Sequence, residues 1–119
     1  MRYLLLIYGD ESGAMSEEDM TGAMEPWFAY TDWLRGKGWM KGGDALQPTN
    51  QATSVTSRSG ERVVTDGPFA ETKEQLGGYY LIEVDHLDDA IEAAGRCPGA
   101  AYGTIEVRPV AELPPAPEA

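Results

Sequence analysis

The chain is short of the residues that most often carry metal, redox or nucleophilic chemistry. It holds one cysteine, Cys97, and one histidine, His86. A lone cysteine excludes an internal disulfide and suits a reducing compartment. One cysteine with one histidine makes no zinc site. Cations are scarce too: nine Lys and Arg stand against twenty Asp and Glu, for a net charge of -11. An acidic chain repels phosphate backbones and anionic bilayers, so direct nucleic-acid and membrane partners are not expected. No run approaches the ~20 apolar residues of a membrane span. The apolar start, Met1 to Tyr8, is too short for a signal peptide and lacks its small-residue cleavage site. A soluble, cytoplasmic protein is expected. Gly36-Lys37-Gly38 lacks the Lys-Ser/Thr ending of a phosphate loop, and no serine sits in a nucleophile elbow. No metal or cofactor is implied.

What is present suits one globular domain. A chain of 119 residues can bury one real core, and 42% hydrophobic residues with three tryptophans argue against disorder. Residues 2–8 read as a strand apolar on both faces, with Leu4 and Leu6 on one side and Tyr3, Leu5 and Ile7 on the other. Turn residues 9–13 follow. Ser16 before Glu17, Glu18 and Asp19 marks a helix start. Met20, Met24, Trp27, Thr31 and Leu34, with Phe28 beside them, form its core stripe. Arg35, Lys37 and the glycines Gly36 and Gly38 end it. Pro26 either kinks this helix or splits it in two. Trp39 to Leu46 is a second strand, with a bulge or close backbone approach at Gly42-Gly43.

Ser59-Gly60 is a two-residue hairpin turn between strands at 52–58 and 61–65. Residues 77–84 form the next strand, with Tyr79 and Tyr80 on opposite faces. A second helix opens at Asp85 or Asp88, buries Leu87, Ala90, Ile91 and Ala94, and closes at Cys97-Pro98-Gly99. His86 at its entry reads as a cap or surface residue, and Cys97 as buried and inert. Residues 104–110 are the last strand, with Ile105 and Val107 inward. The Pro-rich segment 111–119 reads as a flexible tail after a domain of residues 1–110. The fold class is therefore α+β, a ferredoxin-like βαββαβ order with an inserted β-hairpin. Both helices cover one sheet face. Leu4, Leu6, Tyr80 and Ile82 cannot all face water, so a second copy is expected to cover the other face.

The densest chemistry lies in Asp66-Gly67-Pro68-Phe69-Ala70-Glu71-Thr72-Lys73-Glu74. Asp66-Gly67-Pro68 makes a tight turn. Asp66 either caps that turn or points into a cleft as general base or ligand acceptor. Phe69 is expected to anchor the loop on the core. Glu71 and Lys73 share a face if extended; they bind an anionic ligand or form a solvated pair worth below about 1 kcal/mol. Arg108 is a candidate partner for one of the acids. Tyr8 and Trp39 are candidate cleft walls, whereas Trp27, Phe28, Trp33 and Trp39 as a set suit a core.

This loop, followed by Gly77-Gly78-Tyr79-Tyr80, resembles the signature of the DGPF proteins of the YCII-related family. Tyr3 to Gly9, Gly42 to Leu46 and Glu106-Val107-Arg108-Pro109 extend the likeness over residues 2–110. The resemblance implies a dimeric α+β barrel on a ferredoxin-like unit, and a genomic setting beside extracytoplasmic-function sigma factors. Some relatives carry a histidine on the first helix and an aspartate near the end of the second as a proposed catalytic pair. This first helix has no histidine, and the second ends Arg96-Cys97-Pro98, so acid–base chemistry would fall to carboxylates or tyrosines.

The expected function is that of a small homodimer holding a small molecule in a cleft lined by the Asp66–Glu74 loop. Asp66 and Glu71 are its candidate catalytic groups, and Lys73, Tyr8 and Trp39 its candidate ligand contacts. The rivals are a non-catalytic interaction module tied to sigma-factor regulation, and a cofactor-free oxygenase by analogy of fold alone.

Overall fold

A computed structural model describes residues 1–11 and 17–117, with the backbone alone for residues 17–21. The Ser16 cap, part of the 9–13 turn, the Met20 side chain and the last two tail residues lie outside the described residues. The order is β1 (Arg2–Gly9), α1 (Glu17–Gly36), β2 (Met40–Ala45), β3 (Thr53–Arg58), β4 (Glu61–Asp66), β5 (Gln75–Glu83), α2 (Leu87–Arg96) and β6 (Thr104–Pro109). Short 3-10 turns occupy Thr49–Gln51 and Pro98–Ala101. The main sheet has the order β2-β5-β1-β6, with every neighbouring pair antiparallel. This α+β arrangement is compatible with a ferredoxin-like fold. β3 and β4 form a separate two-stranded sheet. Ser59 and Gly60 both take positive φ, 52° and 80°, as the tightest hairpin turn requires.

Strand alternation sets the core. Tyr3 pairs with Ile82 and Leu5 with Tyr80, so these four side chains share the face under the helices. Tyr3, Leu5, Ile82 and Val84 are buried against Tyr30 and Leu34 of α1 and Ala90, Ala93 and Ala94 of α2. Tyr80 and Ile82 therefore do not belong to the uncovered face expected for them. The row that shares the opposite face is Leu4 and Leu6 with Leu81 and Tyr79, because those are their cross-strand partners.

Both helices bury only part of the expected stripe: Leu34, Ala90 and Ala94 are buried and Trp27 and Thr31 half-buried, but other expected residues are not. On α1, Tyr30 and Leu34 are buried, while Met24 and Phe28 are 38% and 62% exposed. Tyr30 can face the core because its hydroxyl donates to the Ala93 carbonyl at 2.6 Å. The Cys97 amide bonds to Ala94 instead, so Tyr30 supplies a partner for one of the last carbonyls of α2. On α2 the alanines are buried, and Leu87 and Ile91 are about half exposed. Small side chains at 90, 93 and 94 let the helix lie close to the sheet, which leaves its larger residues at the flanks. α1 runs through Pro26 as one element, which removes the split-helix alternative. Gly22, whose carbonyl would have accepted from residue 26, and Pro26 itself are both exposed, so water can serve the freed carbonyl.

Gly42-Gly43 answers both expectations for it. The β2–β5 register shifts between Met40 and Gly42, and a Cβ on Gly43 would lie 2.8 Å from the Tyr79 carbonyl oxygen. The tail from 111 to 117 is exposed and irregular, held at its start by Arg2–Glu112 at 3.3 Å. Among the described residues no helix is long and apolar enough to cross a membrane.

Two outcomes test this core. Ile82→Ala should lower the unfolding free energy by about 2–5 kcal/mol in urea titrations, because the fully buried site cannot collapse around the lost atoms. Alkali should also destabilise the chain. Burial pushes the Tyr30 phenol well above its ordinary range, reinforced by the charges Cys97 and Tyr80 would carry, and burial raises Tyr80 and Cys97 as well. The unfolded chain releases these protons near their ordinary pKa values, about 8.5 for the thiol and about 10 for the phenols. The folded chain keeps them, so stability is full below that range and falls as pH rises through it. Thermal melts from pH 7 to 11 should show the fall, and Tyr30→Phe should make it shallower.

Candidate functional site

Between the sheet and α1 lies an open groove of about 540 Å³. Its floor is bare because Gly43 of β2 and Gly77 and Gly78 of β5 bring no side chains. Ile7, Trp27, Phe28 and Met40 give it apolar walls, and Tyr8 and Tyr102 close one end. The β1–β5 register shifts between Ile7 and Tyr8, a bulge between the two central strands.

Polar groups converge on this apolar space. The Thr31 and Tyr80 hydroxyls share a hydrogen bond of 2.8 Å. Burial raises the Tyr80 phenol, and its bond to Thr31 partly opposes that. On the sheet face away from α1, the Tyr79 hydroxyl donates to Asp44 Oδ2 at 2.8 Å, and this bond raises the Tyr79 pKa. Tyr79 therefore stays a protonated donor at neutral pH. Arg35 adds a cation at the rim, 4.0 Å from Asp32. Asp10 and Glu11 make the rest of the rim acidic. Glu11 is tied by both carboxylate oxygens to the Thr49 amide (3.1 and 3.3 Å) and by one to the Thr49 hydroxyl (2.6 Å).

Of the five site residues expected from sequence, the groove contains Tyr8. Asp66, Glu71 and Lys73 are exposed and do not line it. Trp39 is half-buried at another place, edge-on to Trp33 at 5.6 Å, with the Lys37 ammonium 4.9 Å from its ring. The turn after Asp66 is held by other groups. Gly67 takes φ of 100°, its amide donates to the Ala52 carbonyl at 2.7 Å, and Ser54 Oγ donates to the Gly67 carbonyl at 2.7 Å. Phe69 is not a core anchor: it is 94% exposed, because no part of the described chain lies over the loop. Arg108 does not reach the loop acids and lies 3.7 Å from Glu106 on its own strand. His86 occupies the position before α2 without a side-chain cap bond.

One member of the loop does approach the groove. The Glu74 carboxylate accepts from Thr104 Oγ1 at 3.2 Å, beside Gly103 of the groove lining. Thr72 donates to the Glu74 carbonyl and Gln75 Nε2 to the Thr72 carbonyl at 2.7 Å, so this end of the loop is ordered by its own side chains. The sequence signal that was available for the groove is the glycine pairs 42–43 and 77–78. Gly43 faces Tyr80 and Gly78 faces Ala45, so small residues at neighbouring positions of the two strands leave a hollow there. Among the described residues no group of three or more His, Cys, Asp or Glu could hold a metal ion.

The fold and the groove together define a small α+β protein with a mostly apolar, hydroxyl-bearing hollow between sheet and helix. The YCII-related domain model matches residues 1–114, and the chain belongs to the YCII-related family. It is similar to an uncharacterised protein of Rhizobium meliloti (strain 1021), 40% identical, over 97% of this chain and 96% of that protein.

Thr31→Val tests the hydroxyl pair. It leaves the half-buried Tyr80 hydroxyl without its partner and should cost about 1 kcal/mol, read as a lower melting temperature.

Proposed function

We propose that this protein binds a small, largely apolar or aromatic molecule carrying a hydrogen-bonding group, and that it works as a homodimer. The groove carries the reading. Its volume of about 540 Å³ falls within the range of small-molecule sites, and its walls follow their usual composition of apolar side chains with a few placed polar groups. The Thr31–Tyr80 pair offers both a donor and an acceptor to a ligand hydroxyl or carbonyl. The acid–base step expected of Asp66 and Glu71 does not enter this reading, since both stand on open surface and neither faces the groove.

The homodimer rests on the sheet. Leu4, Leu6, Tyr79 and Leu81 form an apolar row on the face away from the helices. A row of that kind on a four-stranded sheet favours a second sheet packed against it, as in a dimeric α+β barrel.

Binding is measured with the aromatic dye 1-anilinonaphthalene-8-sulfonate, followed through its fluorescence. It should saturate one groove per chain, and Phe28→Ser should weaken it at least about tenfold by removing an exposed wall without touching the core. Unchanged affinity in that variant would exclude the groove. Sedimentation equilibrium at micromolar concentration should give a dimer for the native chain and a monomer for Leu81→Arg; a native monomer would end the dimer reading.

A further inference from the structure

The β3–β4 hairpin and the loop after it are exposed in a way that a lone chain does not explain. The hairpin pairs with no strand of the main sheet. All of β4 is exposed, as is β3 apart from Ser54. An isolated two-stranded hairpin is marginally stable in water. Here it also presents apolar surface: Val55 is 58% exposed, Val63 52%, Val64 59% and Phe69 94%. Val55 and Val64 are direct cross-strand partners on one face of the hairpin. The radius of gyration is 17.0 Å, against about 13.5 Å for a compact chain of this length. The hairpin is an arm.

Charge says what kind of surface the arm would meet. The chain as a whole is strongly acidic, at -11. The hairpin tip is not: Arg58 and Arg62 flank Glu61 there, while the following loop sets Asp66, Glu71 and Glu74 against Lys73. Arg58, Arg62 and Lys73 are three of the nine cations of the chain. The mouth of the groove carries the opposite sign in Asp10 and Glu11. In its own chain the Phe69 loop does not line the groove. A cationic tip beside an apolar flank matches an acidic rim around an apolar hollow, and a second copy offers that hollow.

We propose that the arm of one copy lies across its partner, with Phe69 and the Val55–Val64 pair covering the mouth of the partner's groove. Arg58 and Arg62 meet the acidic rim. The ligand site is then closed in trans and is incomplete in a single chain. This inference rests on the homodimer proposed above and adds to it a place for the Asp66–Glu74 loop.

The test uses mixed dimers of the full chain. One copy carries Ser57→Cys, an exposed position on the Val55 side of the arm, labelled with a nitroxide; buried Cys97 is shielded from the reagent. The other copy is isotope-labelled and carries no spin label. The expected result is broadening of the amide signals of Gly43, Asp44 and Gly78 in the isotope-labelled copy. Phe69→Ala and Val64→Glu should each weaken dimerisation at least tenfold, with unchanged circular dichroism, since both sites are exposed in the single chain. A dimer that shows no such broadening, or whose affinity stays within twofold in both variants, overturns the arm and leaves the sheet-to-sheet dimer standing. A native chain that sediments as a monomer overturns both.

Discussion

Tyr3 beside Ile82 and Leu5 beside Tyr80 is the placement on which the rest of the molecule depends. It decides which face of the sheet receives α1 and α2, and hence which face is left open. A strand has a period of two, so a slip of one residue between β1 and β5 would turn this whole set to the other side. The helices are then joined over that face by one buried hydrogen bond, from the Tyr30 hydroxyl to the Ala93 carbonyl. That bond links the middle of α1 to the last turn of α2 and allows a tyrosine to occupy a core position.

The groove follows from the same placement. Where β2 and β5 carry Met40, Tyr80 and Ile82, the space under α1 is filled. At Gly43, Gly77 and Gly78 it is not, and the hollow opens there. Gly43 is also required for packing, because its backbone passes against the Tyr79 carbonyl. One set of residues thus serves the sheet and empties the site. The polar side chains that meet in the hollow are the hydrogen-bonded hydroxyls of Thr31 and Tyr80, whereas Tyr79 and Asp44 pair on the other face of the sheet.

Local chemistry was legible in the sequence where it acts locally. The Ser59-Gly60 turn, the alternation in β1 and the bulge at Gly42 each depend on a few adjacent residues, and each is present. Helix faces were less legible. Leu87 and Ile91 are more hydrophobic than Ala93, yet Ala93 is buried, because close approach to the sheet favours the small side chain. A buried Tyr30 depends on a partner for its hydroxyl that lies 63 residues away. Phe69 was read as an anchor from its residue type, but anchoring needs a surface across space, and the described chain offers none.

By itself the sequence determined the order of elements, the hairpin, the α+β class and the family, since these rest on periodicity, turn residues and a long shared motif. Only the tertiary structure decided where the groove lies. The charged residues of the Asp66–Glu74 loop drew attention through their density, but a groove is made by what strands and helices leave unfilled. That depends on register between segments distant in the chain. A one-dimensional pattern shows which residues can do chemistry; the packing of β2, β5 and α1 decides which of them face the hollow.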